Sequence, residues 1–275
     1  MKQDTYEAYS EARTRMAESA LLTAWESLAA FREDLVLVGG LAIRYLTRRG
    51  ATGVIDMVTT DVDFGVSLGI GDGQYGSVRD TLRGQGFRWE NRRFQKAVAG
   101  LPIYIDLLTE RSGYSQGTVV VDDGLDVSVV PGIERALSCH RVVEVTGKCL
   151  LNVERTISVK VAEVGPLLVL KLNAFGGPGG RQHPKDVSDV LHLVNRYLDG
   201  SEAALAGFKQ EVAAGNPGAK LSLGALRLHF GNVEALGPVA CAAFRLNNRH
   251  DLPEHRDEAA VIRQQCVTLA QALLG

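Results

Sequence analysis

The period of the apolar residues changes sharply in the first quarter of this 275-residue chain. The four apolar residues Leu35–Val38 run directly into Gly39 and Gly40, and the apolar residues that follow recur at helical spacing. This pattern predicts a strand, a glycine turn and a helix. Glycine lets another group approach the backbone closely where the first helical N–H groups are unpaired, so the turn is suited to binding an anion such as phosphate.

A strict alternation of apolar and polar residues follows and predicts a strand over Val62–Leu68. In a strand, Val62 and its apolar partners face the core, while Asp61 and Asp63 share the opposite face. Two neighbouring carboxylates repel each other unless a cation lies between them, and oxygen ligands favour Mg²⁺ or Mn²⁺. The alternative is that Asp61 caps the preceding loop while Asp63 faces water.

Asp106 is the third acidic candidate, in a further predicted strand where Ile103, Ile105 and Leu107 alternate with the residues between them. A lone carboxylate within an apolar strand loses hydration unless it meets a cation or strong donors. Asp106 is therefore the natural third metal ligand. The alternative is that it caps the turn after the strand.

The second charged cluster lies in two predicted helices and the glycine- and proline-rich loop between them. Lys171 lies on the apolar face of a helix that begins near Pro166, where it either reaches a carboxylate or a bound phosphate, or extends its ammonium to water. The next helix opens with Lys185, Asp186 and Asp189. The alternative for the two aspartates is that they are first-turn acids favoured by the helix dipole. With Arg181 in the loop, the three cations suit a triphosphate. The set is Lys171, Arg181, Lys185, Asp186 and Asp189.

The composition restricts the partners and the cellular location that we expect for this chain. The formal net charge is −2, so a polyanionic partner requires a local basic patch. The four cysteines show no C-x-x-C spacing, and no window approaches the roughly 20 apolar residues that span a bilayer. We therefore expect a cytoplasmic protein with reduced thiols and no membrane partner.

In order and combination, these motifs resemble those of the AbiEii-type nucleotidyltransferase toxins, within the DNA polymerase β-like superfamily. The motifs that carry the resemblance are Gly39-Gly40, Thr60-Asp61-Val62-Asp63, Ile105-Asp106-Leu107, Lys171-Leu172-Asn173-Ala174 and Lys185-Asp186-Val187-Ser188-Asp189. The resemblance implies an α+β fold: an N-terminal nucleotidyltransferase domain, residues 1–160, with a mixed sheet flanked by helices, and a mainly helical C-terminal domain, residues 161–275, that completes the nucleotide site.

The resemblance also implies roles for individual residues. Asp61, Asp63 and Asp106 would form the magnesium site, and together with Lys171 they make up the predicted catalytic set. The predicted NTP-binding residues are Gly39, Gly40, Lys171, Arg181, Lys185, Asp186 and Asp189. The family often places an arginine a few residues before the first aspartate, whereas Met57 and Val58 stand there in this chain.

The function that the resemblance implies is transfer of NMP from an NTP to an RNA, such as the 3′ end of tRNA, by a toxin restrained by a cognate antitoxin protein. Two alternatives remain at this point. The acceptor is instead a protein or a small-molecule hydroxyl, as in aminoglycoside modification, or the chain is a binding protein of the same fold without catalysis.

Overall fold

The computed structural model describes residues 4–48, 56–67, 74–110, 117–121 and 125–275. The chain forms two compact units. The sheet unit comprises Glu11–Tyr45 and Thr59–Glu163, and the helical unit comprises Met1–Ser10, Leu46–Val58 and Val164–Gly275. The predicted division at residue 160 stays a prediction; the two compact units instead group two N-terminal segments with the C-terminal helices.

A single mixed sheet accounts for the strands of the described residues. The strands are β1 (Leu35–Val38), β2 (Asp61–Val66), β3 (Arg88–Glu90), β4 (Arg93–Val98), β5 (Leu101–Thr109), β6 (Gly117–Val121), β7 (Leu125–Val129), β8 (His140–Lys148) and β9 (Glu154–Ala162). Their order is β3-β4-β5-β2-β1-β9-β8, with β7 paired to the end of β5 and β6 paired to β7. The central pair β2 and β5 is parallel, whereas β1 runs antiparallel to β2.

Four helices accompany the sheet. They are α1 (Glu11–Ser27), α2 (Gly39–Leu46), α3 (Gln74–Gly84) and α4 (Ile133–Ser138), and a 3₁₀ turn over Ala29–Asp34 links α1 to β1. Trp25 of α1 is buried 6.0 Å from the ring of Phe64 in β2, and its indole N–H donates to the Ser158 carbonyl at 2.8 Å. An aromatic core therefore fixes the face of β2 that lies opposite its aspartates.

The helical unit is built around a helix that is apolar on nearly every side. Its helices are α5 (Val164–Gly176), α6 (Pro184–Arg196), α7 (Ser201–Ala213), α8 (Pro217–His229), α9 (Leu236–Arg245) and α10 (Arg256–Leu274). Helix α5 contacts α6, α7 and α8, as expected of a helix that is hydrophobic all round. A methyl group at Gly165 would lie 2.4 Å from the Gly207 carbonyl oxygen, so α5 and α7 pack closely there.

The α+β class, the mixed sheet and the helical C-terminal region are confirmed. Two details differ from what the sequence predicts. Its periodicity predicts a first helix from about Tyr6 to Phe31, whereas α1 begins at Glu11 and ends at Ser27, and Tyr6 and Tyr9 pack on Phe244 in the helical unit. Strand β7 was not predicted, and the predicted end of β2 at Leu68 lies outside the described residues. No helix of the described chain is long and apolar enough to cross a bilayer.

His192 of α6 predicts a pH dependence of stability. Burial, together with the nearby Arg245 guanidinium, lowers its pKa to about 4, and the ring lies 3.2 Å from the Thr47 hydroxyl. Between the unfolded pKa of roughly 6.5 and this value the unfolded chain binds more protons, so stability falls as pH falls.

We expect His192→Gln, which keeps a hydrogen-bonding group for Thr47, to flatten this dependence. Urea unfolding should show the wild type losing about 2 kcal/mol more than the variant between pH 7 and pH 5. Equal losses in the two proteins would mean that His192 does not titrate in this way.

Candidate active site

Three carboxylates of the sheet unit lie side by side on two adjacent strands. In the parallel pairing of β2 with β5, Asp63 is opposite Asp106 and Asp61 is opposite Tyr104. Because alternate residues of a strand share a face, Asp61, Asp63 and Asp106 project from the same face of the sheet. The intervening Val62 and Ile105 are fully buried on the other face. The structure thus brings together the three acids that the sequence singled out.

Arg93 of β4 completes this group and was not predicted. Its Nε and Nη2 donate to the two carboxylate oxygens of Asp106 at 2.9 and 2.5 Å, and Nη2 lies 3.5 Å from Asp61 Oδ2. The guanidinium also stacks on the Tyr104 ring, 4.0 Å from its centroid. A two-pronged contact of this kind holds the carboxylate in a fixed orientation.

The position of Arg93 follows from the hairpin that joins β4 to β5. Ala99 and Gly100 both have positive φ, as in a tight two-residue turn, and Val98 pairs with Leu101. Phe94 therefore pairs with Ile105, and the same register continued by one residue brings Arg93 to Asp106, to which its side chain donates. The register set by this turn is the sequence signal that would have found Arg93.

The cluster carries excess negative charge. Burial first, and then the neighbouring Asp63 carboxylate, raise the pKa of Asp106 to about 7 against the opposing effect of Arg93. Burial tends to lower the pKa of Arg93, but Asp106 and Asp61 raise it overall. One guanidinium among three carboxylates leaves a site that favours a further cation.

The glycine turn lies against the same acids. Gly39 has φ +72°, and a Cβ there would lie 1.9 Å from Asp63 Oδ2; a Cβ on Gly40 would lie 2.7 Å from Thr59 Cβ. The room beside the two glycines is thus used by the side chains of Asp63 and Thr59. Their predicted contact with a triphosphate stays a prediction.

A divalent cation fits this donor set chemically. Asp61 and Asp63 offer oxygen ligands on one face, as Mg²⁺ and Mn²⁺ prefer. Among the described residues, however, no three His, Cys, Asp or Glu side chains are grouped so as to hold a metal ion. Arg93 already occupies the oxygens of Asp106, so the third metal ligand stays a prediction.

The five remaining site residues meet in the helical unit as one ionic network. Lys171 Nζ lies 2.7 Å from Asp189 Oδ2 and 3.3 Å from Asp186 Oδ1, and Lys185 Nζ lies 2.8 Å from Asp189. Arg181 donates to both oxygens of Asp186 at 2.7 and 2.9 Å. Of the alternatives for Lys171, the structure shows pairing with carboxylates and excludes an ammonium that reaches water.

Burial differs within this network. Burial tends to lower the pKa of Lys171, but Asp189 and Asp186 raise it overall, whereas for Lys185 burial prevails and the pKa is lowered. Both lysines and both aspartates are buried, but about half of the Arg181 side chain is exposed. Arg181 is therefore the member that can contact a ligand without leaving its present partner.

A comparison with models of protein families identifies the family of this chain. A model described as "Nucleotidyl transferase AbiEii toxin, Type IV TA system" matches residues 20–264. The chain belongs to this AbiEii family. It is accordingly an NTP-dependent nucleotidyltransferase, of a family of toxins in type IV toxin–antitoxin systems. A comparison with curated proteins found no significant match.

The resemblance read from the motifs is confirmed by this match. The matched segment includes every predicted site residue of this AbiEii protein, from Gly39 to Asp189. The match identifies the family; the roles of the individual residues remain proposals.

Gly39 allows a direct test of how the site is built. We expect Gly39→Ala to lower the free energy of unfolding by roughly 1–3 kcal/mol more than Gly100→Ala, because the new methyl overlaps Asp63. Gly100 is a matched control, with φ +77° and no neighbouring atom within 4 Å of the position that a methyl would take, so it carries the same backbone strain without the overlap. Equal losses of unfolding free energy in the two variants would show that the Asp63 side chain does not need the space left by the missing Cβ of Gly39.

Proposed function

We propose that this protein transfers NMP from an NTP to an RNA acceptor, such as the 3′ end of tRNA, with Mg²⁺ or Mn²⁺ as cofactor. The observation that carries the proposal is the pairing of Asp63 with Asp106 next to Asp61, on one face of two parallel strands. Family membership supports nucleotidyl transfer, and the carboxylate group supplies the chemistry that this reaction needs.

The three acids have different roles in this proposal. Asp61 and Asp63 hold the divalent cation, which when bound stabilises charge on the α-phosphate and on the departing pyrophosphate. Asp106 accepts the proton of the attacking hydroxyl, and its raised pKa, about 7, suits a base that works near neutral pH. Arg93 positions Asp106 through its two hydrogen bonds.

Each unit, taken by itself, has a group suited to phosphate in this proposal. In the sheet unit, backbone N–H groups at Gly39 and Gly40 favour an anion, since they begin helix α2. In the helical unit, the half-exposed Arg181 is the proposed phosphate-binding residue, while Lys171 and Lys185 hold Asp186 and Asp189 in place. The whole network carries three cations and two carboxylates, so a phosphate offsets its surplus positive charge.

The biological setting follows from the family. We propose that the chain is the toxin of its module and that a separate antitoxin protein restrains it. Because NTPs and tRNA are cytoplasmic molecules, we propose that it acts in the cytoplasm.

Incubating the purified protein with each α-labelled NTP and Mg²⁺ tests the proposal, with total RNA, protein extract or an aminoglycoside as acceptor. We expect label in RNA, and we expect Asp63→Asn to reduce transfer at least about 1,000-fold, because it removes a metal ligand that acts in the transition state.

Asp257→Asn is the matched control, since Asp257 is an exposed first-turn residue of α10, and it should retain wild-type transfer. Label in protein or aminoglycoside alone would contradict the RNA acceptor. Full transfer by Asp63→Asn would contradict the assignment of the site.

A further inference from the structure

A basic groove lies at the β3 edge of the sheet, within the sheet unit. Strand β3 is the edge strand at one end of the sheet, and α3 packs beside it. The groove has a volume of about 700 Å³ and is lined by Arg79, Arg83, Gly86, Phe87, Arg88 and Trp89. Its walls combine three guanidinium groups with an indole ring. None of these residues belongs to the carboxylate site.

Positive charge is concentrated around this groove although the chain as a whole is acidic. Residues 79–92 contain four arginines but only two acids, Asp80 and Glu90, against a net charge of −2 for the whole chain. Arg88 is exposed, and 62% of the Arg83 side chain is exposed. This is the local basic patch that a polyanionic partner requires.

Trp89 gives the groove a second recognition element. Its ring is partly buried, 4.8 Å from the Phe94 ring, and Phe94 is fully buried. A tryptophan held against a core residue offers a fixed surface on which a base can stack. Grooves that bind single-stranded nucleic acid combine such aromatic surfaces with cations that contact the phosphates.

A lateral row of side chains connects this edge to the carboxylate site. Arg88 pairs with Gln95, Gln95 pairs with Tyr104, and Tyr104 pairs with Asp61. Paired residues of neighbouring strands share a face, so the four side chains form one row across β3, β4, β5 and β2. Three strand spacings place the two ends about 14 Å apart. Arg88 belongs both to the groove and to the row, whereas Trp89, which pairs with Phe94, lies on the opposite face of β3.

We propose that the groove binds the phosphates of the RNA acceptor at the β3 edge, with a base against Trp89 on one face of β3 and with Arg88 on the face that carries Asp61. This inference rests on the proposed function, because that function makes RNA the acceptor. An acidic protein segment could pair with the cations of the groove, but it has no base to stack on Trp89. The combination of cations and an aromatic ring therefore favours RNA.

Charge reversal at the groove tests the proposal without catalysis. We expect Arg83→Glu/Arg88→Glu to bind a fluorescent 20-nucleotide single-stranded RNA at least about tenfold more weakly, with NTP absent. Loss of two phosphate contacts should also reduce the salt slope of log K by about 1.4. The control Arg227→Glu/Arg256→Glu has the same charge change at exposed arginines of the helical unit and should bind like the wild type.

Intrinsic fluorescence tests the stacking contact. The chain has two tryptophans, and Trp25 is only 1% exposed. RNA should therefore quench the emission of Trp89 in the wild type, and quenching should be absent in Trp89→Phe, which keeps an aromatic ring beside Phe94.

The outcomes separate this inference from the proposed function. Wild-type transfer to RNA together with undiminished RNA binding by Arg83→Glu/Arg88→Glu would overturn the groove and leave the function intact. Absence of transfer to RNA, with RNA binding lost in the same variant, would overturn the acceptor and support the groove. Equal competition by polyglutamate and by RNA, or quenching that persists in Trp89→Phe, would overturn recognition of RNA.

Discussion

The structure of the sheet unit depends on how three neighbouring carboxylates are neutralised. Asp61, Asp63 and Asp106 lie on one face of two paired strands, where like charges would destabilise the fold unless cations accompany them. Arg93 supplies one cation through a tight hairpin that places it opposite Asp106. The remaining charge is what a divalent ion would neutralise, which is why the proposed nucleotidyl transfer is assigned to this cluster.

The helical unit meets a similar constraint in a different way. Its network of Lys171, Lys185, Asp186 and Asp189 is buried, and such groups are tolerated only when every charge has a partner. The two lysines therefore serve first to hold the aspartates. Arg181, half exposed at the margin of the network, extends the same charge to the surface. Residues that look equivalent in the sequence thus differ in burial and in their ion pairs.

Much of this could be predicted from periodicity, and the rest depended on pairing. Alternation placed Asp61 and Asp63 on one face and Asp106 in a separate strand, because these are local properties of a strand. Arg93 was missed because its partner is fixed by the register of a hairpin, and the pairing of Lys171 required the packing of α5 against α6. Strand β7, which pairs with the end of β5 and with β6, was also missed.

The most direct test of the central claim is titration of Mn²⁺ followed by the electron paramagnetic resonance signal of the free ion. The account predicts that the wild type binds Mn²⁺, that Asp61→Asn/Asp63→Asn loses this binding while its circular dichroism stays native, and that Arg93→Met binds several-fold more tightly because a competing cation is gone. Binding by the Asp61→Asn/Asp63→Asn protein at wild-type strength would contradict it.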